Sequence, residues 1–337
     1  MPLLVTGAAG FIGSKVCRLL LDAGHEVVGV DNLNSAYDPQ LKQWRLRELL
    51  PAPQFRFEQL DIADFAATER FFVRESRDMG TSVDRSCAPF DAVLNLAARA
   101  GVRPSVLDPW VYFKANADGT LNLLELCRRW GVKKFVLSST SSLYGAHNPV
   151  PFAEDADTSR PLSPYAASKK AAEAIAFTYH HLHGFDMTVL RYFTVYGPAG
   201  RPDMSVFRFM RKIAEGEPIT VFGDGTQQRD FSYVDDIARG TVAAIKPLGF
   251  EVINLGGDRP IRLDYVISQI AELVGRQPII EYRPAHPADV PATWANVAKA
   301  RRLLNWVPEV SLEEGLRRTA AWYRANRAEI LPLELGD

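Results

Sequence analysis

Leu3-Leu4-Val5-Thr6-Gly7-Ala8-Ala9-Gly10-Phe11-Ile12-Gly13 opens this 337-residue chain, and its reading decides the fold. A short apolar strand runs into a turn with glycines at 7, 10 and 13. Beyond the turn, Val16, Leu19, Leu20 and Ala23 recur at the spacing of one helix face, and Gly24 stands where a helix C-cap belongs. A second strand, Val27–Val30, ends at Asp31. Further strand-like runs follow at Phe55–Leu60, Ala92–Leu96, Phe135–Leu137 and Met187–Leu190, separated by helical patterns that include Ser105–Trp130 and Tyr165–His183. Strands alternating with helices of this length predict crossover connections and a parallel sheet covered on both faces.

The expected class is therefore α/β, a doubly wound parallel sheet of Rossmann type with a smaller, mixed C-terminal lobe. After residue 192 the rhythm loosens and proline and glycine become frequent, from Gly197-Pro198 to Gly225. Residues 1–191 are expected to form the dinucleotide-binding domain, with 231–257 returning to it as one more helix and strand. Residues 192–337 then supply mainly the substrate lobe, a division that also suits the chain's length. Asn34–Pro53 and Gly80–Pro89 read as insertions.

Composition narrows the function. With 39 basic and 40 acidic residues the chain has no pull toward polyanions, so nucleic acid is not expected as a partner. Cys17, Cys87 and Cys127 are scattered and form no CxxC pair, which reads as buried thiols in a reducing cytoplasm. No apolar run reaches membrane-spanning length, and the glycine-interrupted N-terminus lacks a basic leader; the expected location is cytoplasmic. His180, His181 and His183 cluster where a helix ends, favourable for partly charged imidazoles, and no metal is expected. Arg128-Arg129 and Lys133-Lys134 read as a solvated basic helix end.

The glycine turn points to a cofactor. Placed between strand and helix, it lets backbone approach a pyrophosphate while the helix N-terminus offers free N–H groups. Asp31, eighteen residues past Gly13, can accept from both hydroxyls of an adenosine ribose and repels a 2′-phosphate, which favours NAD over NADP. Asp61-Ile62 and Leu96-Ala97-Ala98 fall at the carboxyl edge of the sheet, where such folds bind their ligand.

Tyr165 and Lys169 lie four residues apart at the start of a helix and share one face. The strand ending in Ser138-Ser139-Thr140 emerges at the same sheet edge. A phenol must lose roughly three pKa units to act as a base at neutral pH. A neighbouring ammonium and a cationic nicotinamide favour the phenolate, and Thr140 can hold the reacting hydroxyl.

TGAAGFIG, the Thr140–Tyr165–Lys169 trio and the run Arg191-Tyr192-Phe193-Thr194-Val195-Tyr196-Gly197-Pro198 together resemble the extended short-chain dehydrogenases/reductases. More narrowly the chain resembles nucleotide-sugar epimerases, most closely the UDP-glucuronate 4-epimerases. Tyr37-Asp38-Pro39, Leu41-Lys42, Arg45-Leu46, Ala100-Gly101-Val102-Arg103, Gly200-Arg201-Pro202-Asp203-Met204 and Gln228-Arg229-Asp230-Phe231 are similar to motifs of that subgroup. The resemblance implies that Tyr165 takes the proton of the sugar 4-hydroxyl as NAD accepts hydride from C4. The 4-keto sugar then turns over, and hydride returns to its other face, converting UDP-glucuronate into UDP-galacturonate.

The same resemblance assigns roles residue by residue. Gly7, Gly10, Phe11, Ile12, Gly13, Asp31, Asn32, Asp61, Ile62, Leu96, Ala97, Ala98 and Ser138, with Tyr165 and Lys169, are expected at the cofactor. Arg103, Ser141, Ser142, Thr194, Arg201, Phe222, Arg229 and Asp289 are expected at the substrate. Arg229 is to contact the diphosphate, Phe222 to line the uracil pocket and Asp289 to lie near the nucleotide ribose; His286 departs from an arginine common in epimerases. Related dehydratases and decarboxylases carry acidic residues after the Thr140-like position, whereas Ser141-Ser142-Leu143 here has none. Thr194, Arg201 and the two serines are expected to hold the sugar carboxylate out of line with the C4 carbonyl, since a β-keto acid otherwise loses carbon dioxide. Apolar residues along Leu121–Cys127 and Ala171–Phe177 are expected to pair across a homodimer axis. Two other functions stay open: a 4-epimerase of a neutral UDP-hexose, and a non-catalytic NAD-binding protein of this fold.

Overall fold

The computed structural model describes residues 1–78, 88–287 and 289–335. Most of the insertion read at Gly80–Pro89, and Cys87 with it, lies outside the described residues. The chain begins β1 (Leu3–Thr6), α1 (Phe11–Asp22), β2 (Val27–Asp31), α2 (Pro39–Leu49), β3 (Phe55–Gln59), α3 (Phe65–Asp78) and β4 (Ala92–Asn95). It continues α4 (Pro104–Leu107), α5 (Pro109–Phe113), a π turn (Lys114–Asp118), α6 (Gly119–Trp130), β5 (Lys134–Thr140), a 3₁₀ turn (Ser141–Tyr144), α7 (Pro164–His183), β6 (Asp186–Tyr192) and β7 (Thr194–Tyr196). Then come α8 (Ser205–Glu215), β8 (Ile219–Phe222), β9 (Gln228–Tyr233), α9 (Val234–Ala243), β10 (Phe250–Leu255), β11 (Pro260–Arg262), α10 (Leu263–Val274), β12 (Ile280–Arg283), α11 (Ala298–Leu304) and α12 (Leu312–Ile330).

Seven parallel strands form one sheet in the order β10-β6-β5-β4-β1-β2-β3. The order reverses direction beside β1 and β4, which opens a crevice at their carboxyl ends. Leu3, Val5, Val16, Cys17, Leu20, Ile237 and Ile253 pack one face, where α1 and α9 lie. Leu4, Phe72, Leu123, Leu124, Cys127, Ala172 and Ala176 pack the other, against α3, α6 and α7. Cys17 and Cys127 are both free and buried.

The long helical pattern over Ser105–Trp130 is interrupted. Pro109 lacks an N–H and drives Asp108 to an extended φ of −137°, ending α4 at Leu107. A π turn then inserts before α6. Within it Asn116 is buried, accepts from the Arg99 N–H at 2.8 Å and donates to Ser168 Oγ at 2.9 Å, pinning α7 to the crevice loop.

The later chain makes its own small sheets. β7 and β9 pair in parallel and β11 joins β9 antiparallel, while β8 pairs with β12. Val206, Met210, Ile213, Val221, Val266, Ile270 and Leu316 close a third core between them and α8, α10 and α12. β10 completes the large sheet. Ala295, Val297, Ala300 and Trp306 also pack into the first core, a return that the proline- and glycine-rich stretch before them hides in the sequence.

Candidate active site

A cavity of about 410 Å³ opens at the carboxyl end of the large sheet and runs under the C-terminal lobe. Its floor is the glycine turn. Gly7 adopts φ +71°, and a Cβ there would stand 2.7 Å from the Ala97 N; a Cβ on Gly13 would stand 2.0 Å from the Gly7 carbonyl oxygen. Only glycine lets the turn close so tightly. Gly10 caps α1 with no side-chain hydrogen bond, and Phe11, Ile12 and Gly13 line the cavity, so the uncapped first turn faces the open space. A diphosphate fits such a place, since free N–H groups and the helix dipole both favour negative charge.

The end of the cavity beside Asp31 is built from polar turns. Asp31 is 7% exposed, accepts from the Leu33 N–H at 2.8 Å and receives Lys42 Nζ at 3.4 Å. Lys42 is itself buried, donates to Asn34 Oδ1 at 3.3 Å and lines the same wall. Reading the sequence left this partner out. Its motif was visible, but contact between positions eleven residues apart depends on how the loop before α2 folds. Asn32 donates to Asp61 Oδ2 at 3.2 Å, and Asp61 Oδ1 accepts from the Ala63 N–H at 2.9 Å. Ile62, Leu96, Ala97 and Ala98 line the remaining wall. A buried carboxylate thus stands at this wall, and the small side chains of Ala97 and Ala98 leave space beside it.

Ser138, Thr140, Tyr165 and Lys169 meet at the centre of the cavity. α7 is placed by its caps: Ser163 accepts from the Ala166 N–H at 3.2 Å and Pro164 fills the first turn. One helical turn past Lys169, Glu173 accepts from Ser139 Oγ at 2.6 Å and from Arg191 at 2.8 and 3.0 Å. That buried pair ties α7 to β5 and β6 and sets the height of the helix over the sheet. Lys169 Nζ donates to the Ser138 carbonyl at 2.9 Å. Burial lowers its pKa to about 8 against the opposing pull of Glu173.

Burial also raises the Tyr165 phenol, while the Thr140 hydroxyl and then the Arg201 charge pull it back down and Tyr112 opposes them. Arg201, which the sequence placed only at the sugar carboxylate, thus also bears on the phenol. Tyr112 packs edge-on against Tyr165 with ring centres 6.1 Å apart. Thr140 Oγ1 accepts from the Ser142 N–H at 3.1 Å and caps the 3₁₀ turn that carries Ser141 and Ser142 along the cavity wall.

Thr194 and Arg201 line the cavity opposite. The Arg201 guanidinium is gripped by Asp203, Nε at 3.0 Å and Nη2 at 2.5 Å, and Nη2 also donates to the Ala100 carbonyl at 3.2 Å. The turn before it is held by Arg45, a buried guanidinium that donates to the carbonyls of Ala9, Ala199 and Gly200 and to Tyr37 Oη. One side chain therefore joins the glycine turn to the Arg201 loop. Nothing in the local pattern of α2 signals that bridge.

Toward the mouth, Arg229 and Asp289 line the cavity, but Arg103 and Phe222 do not. Arg103 lies 3.7 Å over the Phe222 ring and pairs with Asp289 at 2.6 Å, so the lining carboxylate is backed by a guanidinium–ring stack just outside it. Phe222, expected to line the uracil pocket, thus carries the Arg103 guanidinium over its ring. Arg229 donates to the carbonyls of Gln228 at 2.7 Å and Pro291 at 3.3 Å, and burial pushes its pKa down.

A parallel sheet with a glycine-floored dinucleotide crevice, holding a tyrosine and lysine one helical turn apart, defines a nucleotide-dependent oxidoreductase-type centre. The model of the NAD dependent epimerase/dehydratase family matches residues 3–256, and the chain belongs to that family. It is 55% identical over 324 residues to a UDP-glucuronate 4-epimerase of Thermodesulfobacterium geofontis, spanning 96% of each chain. It resembles the crystal structure of a Bacillus cereus UDP-glucuronic acid 4-epimerase in complex with UDP-glucuronic acid and NAD, with a TM-score of 0.86 and 37% identity over 96% of this chain and 99% of the other. A UDP-glucose 4-epimerase of Thermotoga maritima, solved with UDP-glucose, gives a TM-score of 0.85 at 35% identity over 97% and 100%.

Proposed function

We propose that this chain is an NAD-dependent isomerase that inverts the C4 hydroxyl of UDP-glucuronate to give UDP-galacturonate. The observation that carries the reading is that Arg201 lines the same cavity as Thr140, Tyr165 and Lys169, together with Thr194, Ser141 and Ser142. In a hexuronate the reacting hydroxyl on C4 and the carboxylate on C5 are borne by adjacent ring carbons, and that spacing asks for a base and a cation side by side.

When bound, NAD supplies the hydride acceptor and donor that interconvert the C4 alcohol and ketone. Tyr165 takes the proton of the 4-hydroxyl and returns it after the sugar has turned. Thr140 orients the hydroxyl, and Lys169, held by the Ser138 carbonyl, keeps a positive charge under the site. Thr194, Ser141, Ser142 and Arg201 hold the carboxylate away from the π-system of the ketone. Residues 1–191 with 231–257 serve the dinucleotide, and 192–337 mainly the nucleotide sugar. Arg229 serves the diphosphate, and Asp289, with the Arg103–Phe222 stack behind it, the uridine.

One observation favours a second reading, a neutral UDP-hexose as substrate: Asp203 already balances the Arg201 charge. Incubation with UDP-glucuronate, UDP-galacturonate and UDP-glucose, without added reductant, separates the readings. The expected result is interconversion of the two uronates and little change in UDP-glucose. Preferential turnover of UDP-glucose gives the second reading, and inert protein that retains NAD gives a binding protein.

We read the chain further as a cytoplasmic homodimer. Most apolar residues of Leu121–Cys127 and Ala171–Phe177 serve the chain's own core, since Leu123, Leu124, Leu126, Cys127, Ala172 and Ala176 are at most 1% exposed. Leu121, Phe177 and Leu182 remain exposed on α6 and α7, with Trp110 nearby in sequence on α5. Exposed apolar side chains of this size favour a partner subunit. Light scattering at micromolar concentration should give twice the chain mass; a monomer's mass would refute the dimer. No helix among the described residues is long and apolar enough to cross a membrane.

A further inference from the structure

Resting on the uronate reading, we propose that Asp203 is a positioning residue: it gives up affinity for the sugar carboxylate in order to fix the Arg201 guanidinium in the one orientation that prevents decarboxylation. The grip is side-on and complete. Asp203 Oδ1 takes Nε, Oδ2 takes Nη2, and the Ala100 carbonyl takes Nη2 again. The face of the group lies by the Tyr37 ring, 5.7 Å from its centre. Only Nη1 makes no hydrogen bond to the described residues, so a carboxylate entering the cavity meets a single edge in a single direction. Both partners of the pair are 18% exposed, which makes rearrangement into water costly.

Electrostatics alone would favour no such partner. A guanidinium without Asp203 is the stronger anion site, because a like-charged carboxylate beside it weakens binding of the next. What Asp203 supplies is direction. In the 4-keto sugar the C5–C6 bond can break with its electron pair entering the C4 carbonyl as an enolate; carbon dioxide leaves and solvent returns a proton to C5. That step needs the breaking bond aligned with the carbonyl π-system. A fork that swings freely allows the alignment, and one fixed on two sides forbids it. The RPD run places both residues on one short turn, which Arg45 holds down through Ala199 and Gly200.

Asp203→Asn tests this because the amide matches the carboxylate in shape but lacks its charge. The expected result is UDP-glucuronate bound more tightly, by about threefold, as the guanidinium is relieved of its counter-charge. UDP-pentose should appear among the products, and UDP-glucose binding should stay unchanged. Asp203→Glu, which keeps the charge but displaces the fork, should give pentose without tighter binding. In an Arg201→Met background, Asp203→Asn should change neither quantity, since Asp203 acts through Arg201. Weaker or equal binding by Asp203→Asn with clean epimerisation overturns the proposal, as does an undiminished effect in the Arg201→Met background. If the parent protein does not epimerise UDP-glucuronate at all, it is the uronate reading that fails, and the dissociation constants still report on Asp203.

Discussion

Arg201→Met is expected to raise the KM for UDP-glucuronate roughly 50-fold and to release UDP-pentose. A charge-assisted hydrogen-bonded pair in a half-dry site is worth about 2–3 kcal/mol, which converts to that range of binding. Methionine keeps much of the volume and the packing against Tyr37, so the loss belongs to the charge. Two further consequences separate this from general damage. UDP-glucose, with no carboxylate to lose, should keep its KM. The acid limb of the pH profile of kcat should also move to higher pH. Tyr165 works as a phenolate, and its activity is present above its pKa; Thr140 from β5, Arg201 from the loop after β7, Tyr112 from α5 and Lys169 from its own helix surround it. Removing the cation lets burial raise the phenol further, so activity is lost at a higher pH as the solution is acidified. Steady-state kinetics with product separation at several pH values reads all three, and an unchanged KM with no pentose would place the carboxylate elsewhere.

Tighter features of the fold were legible because they are local. A strand, a glycine turn and an amphipathic helix within twenty residues specify a crossover unit, and Asp31 at the next strand end follows from chain direction alone. Tyr165 and Lys169 share a face by helical geometry, and both fall in the helix that begins at Pro164. What stayed hidden is made of contacts between distant segments. Lys42 reaches Asp31 only once the loop between β2 and α2 has curled back. Arg45 meets Ala199 and Gly200 across 154 and 155 residues. The stack of Arg103 on Phe222, with Asp289 pairing to the same guanidinium, draws on three separate segments. The break at Pro109 was open to reading, yet the apolar periodicity continued through it and suggested one helix. The role of Arg201 beside Tyr165 needed the cavity itself: a motif names a residue type and place, and only the closed loop says which charge lies near which phenol.

The largest effect expected belongs to Tyr165→Phe. Phenylalanine keeps the ring and its edge-on contact with Tyr112, so the fold, the cavity and its NAD content should be preserved. Only the acid–base oxygen is removed. Proton transfer by a positioned side chain is worth about 10²–10⁴ in rate, and the two cations beside the phenol are engaged elsewhere. Lys169 is committed to the Ser138 carbonyl and Arg201 to Asp203. The direct test is therefore kcat of the Tyr165→Phe protein with UDP-glucuronate, measured beside the amount of NAD released from it on denaturation. A fall of about 10³-fold with NAD content equal to the parent's is the predicted result. Turnover within a fewfold of the parent, with NAD still bound, would contradict the assignment of the phenol as the group that moves the proton.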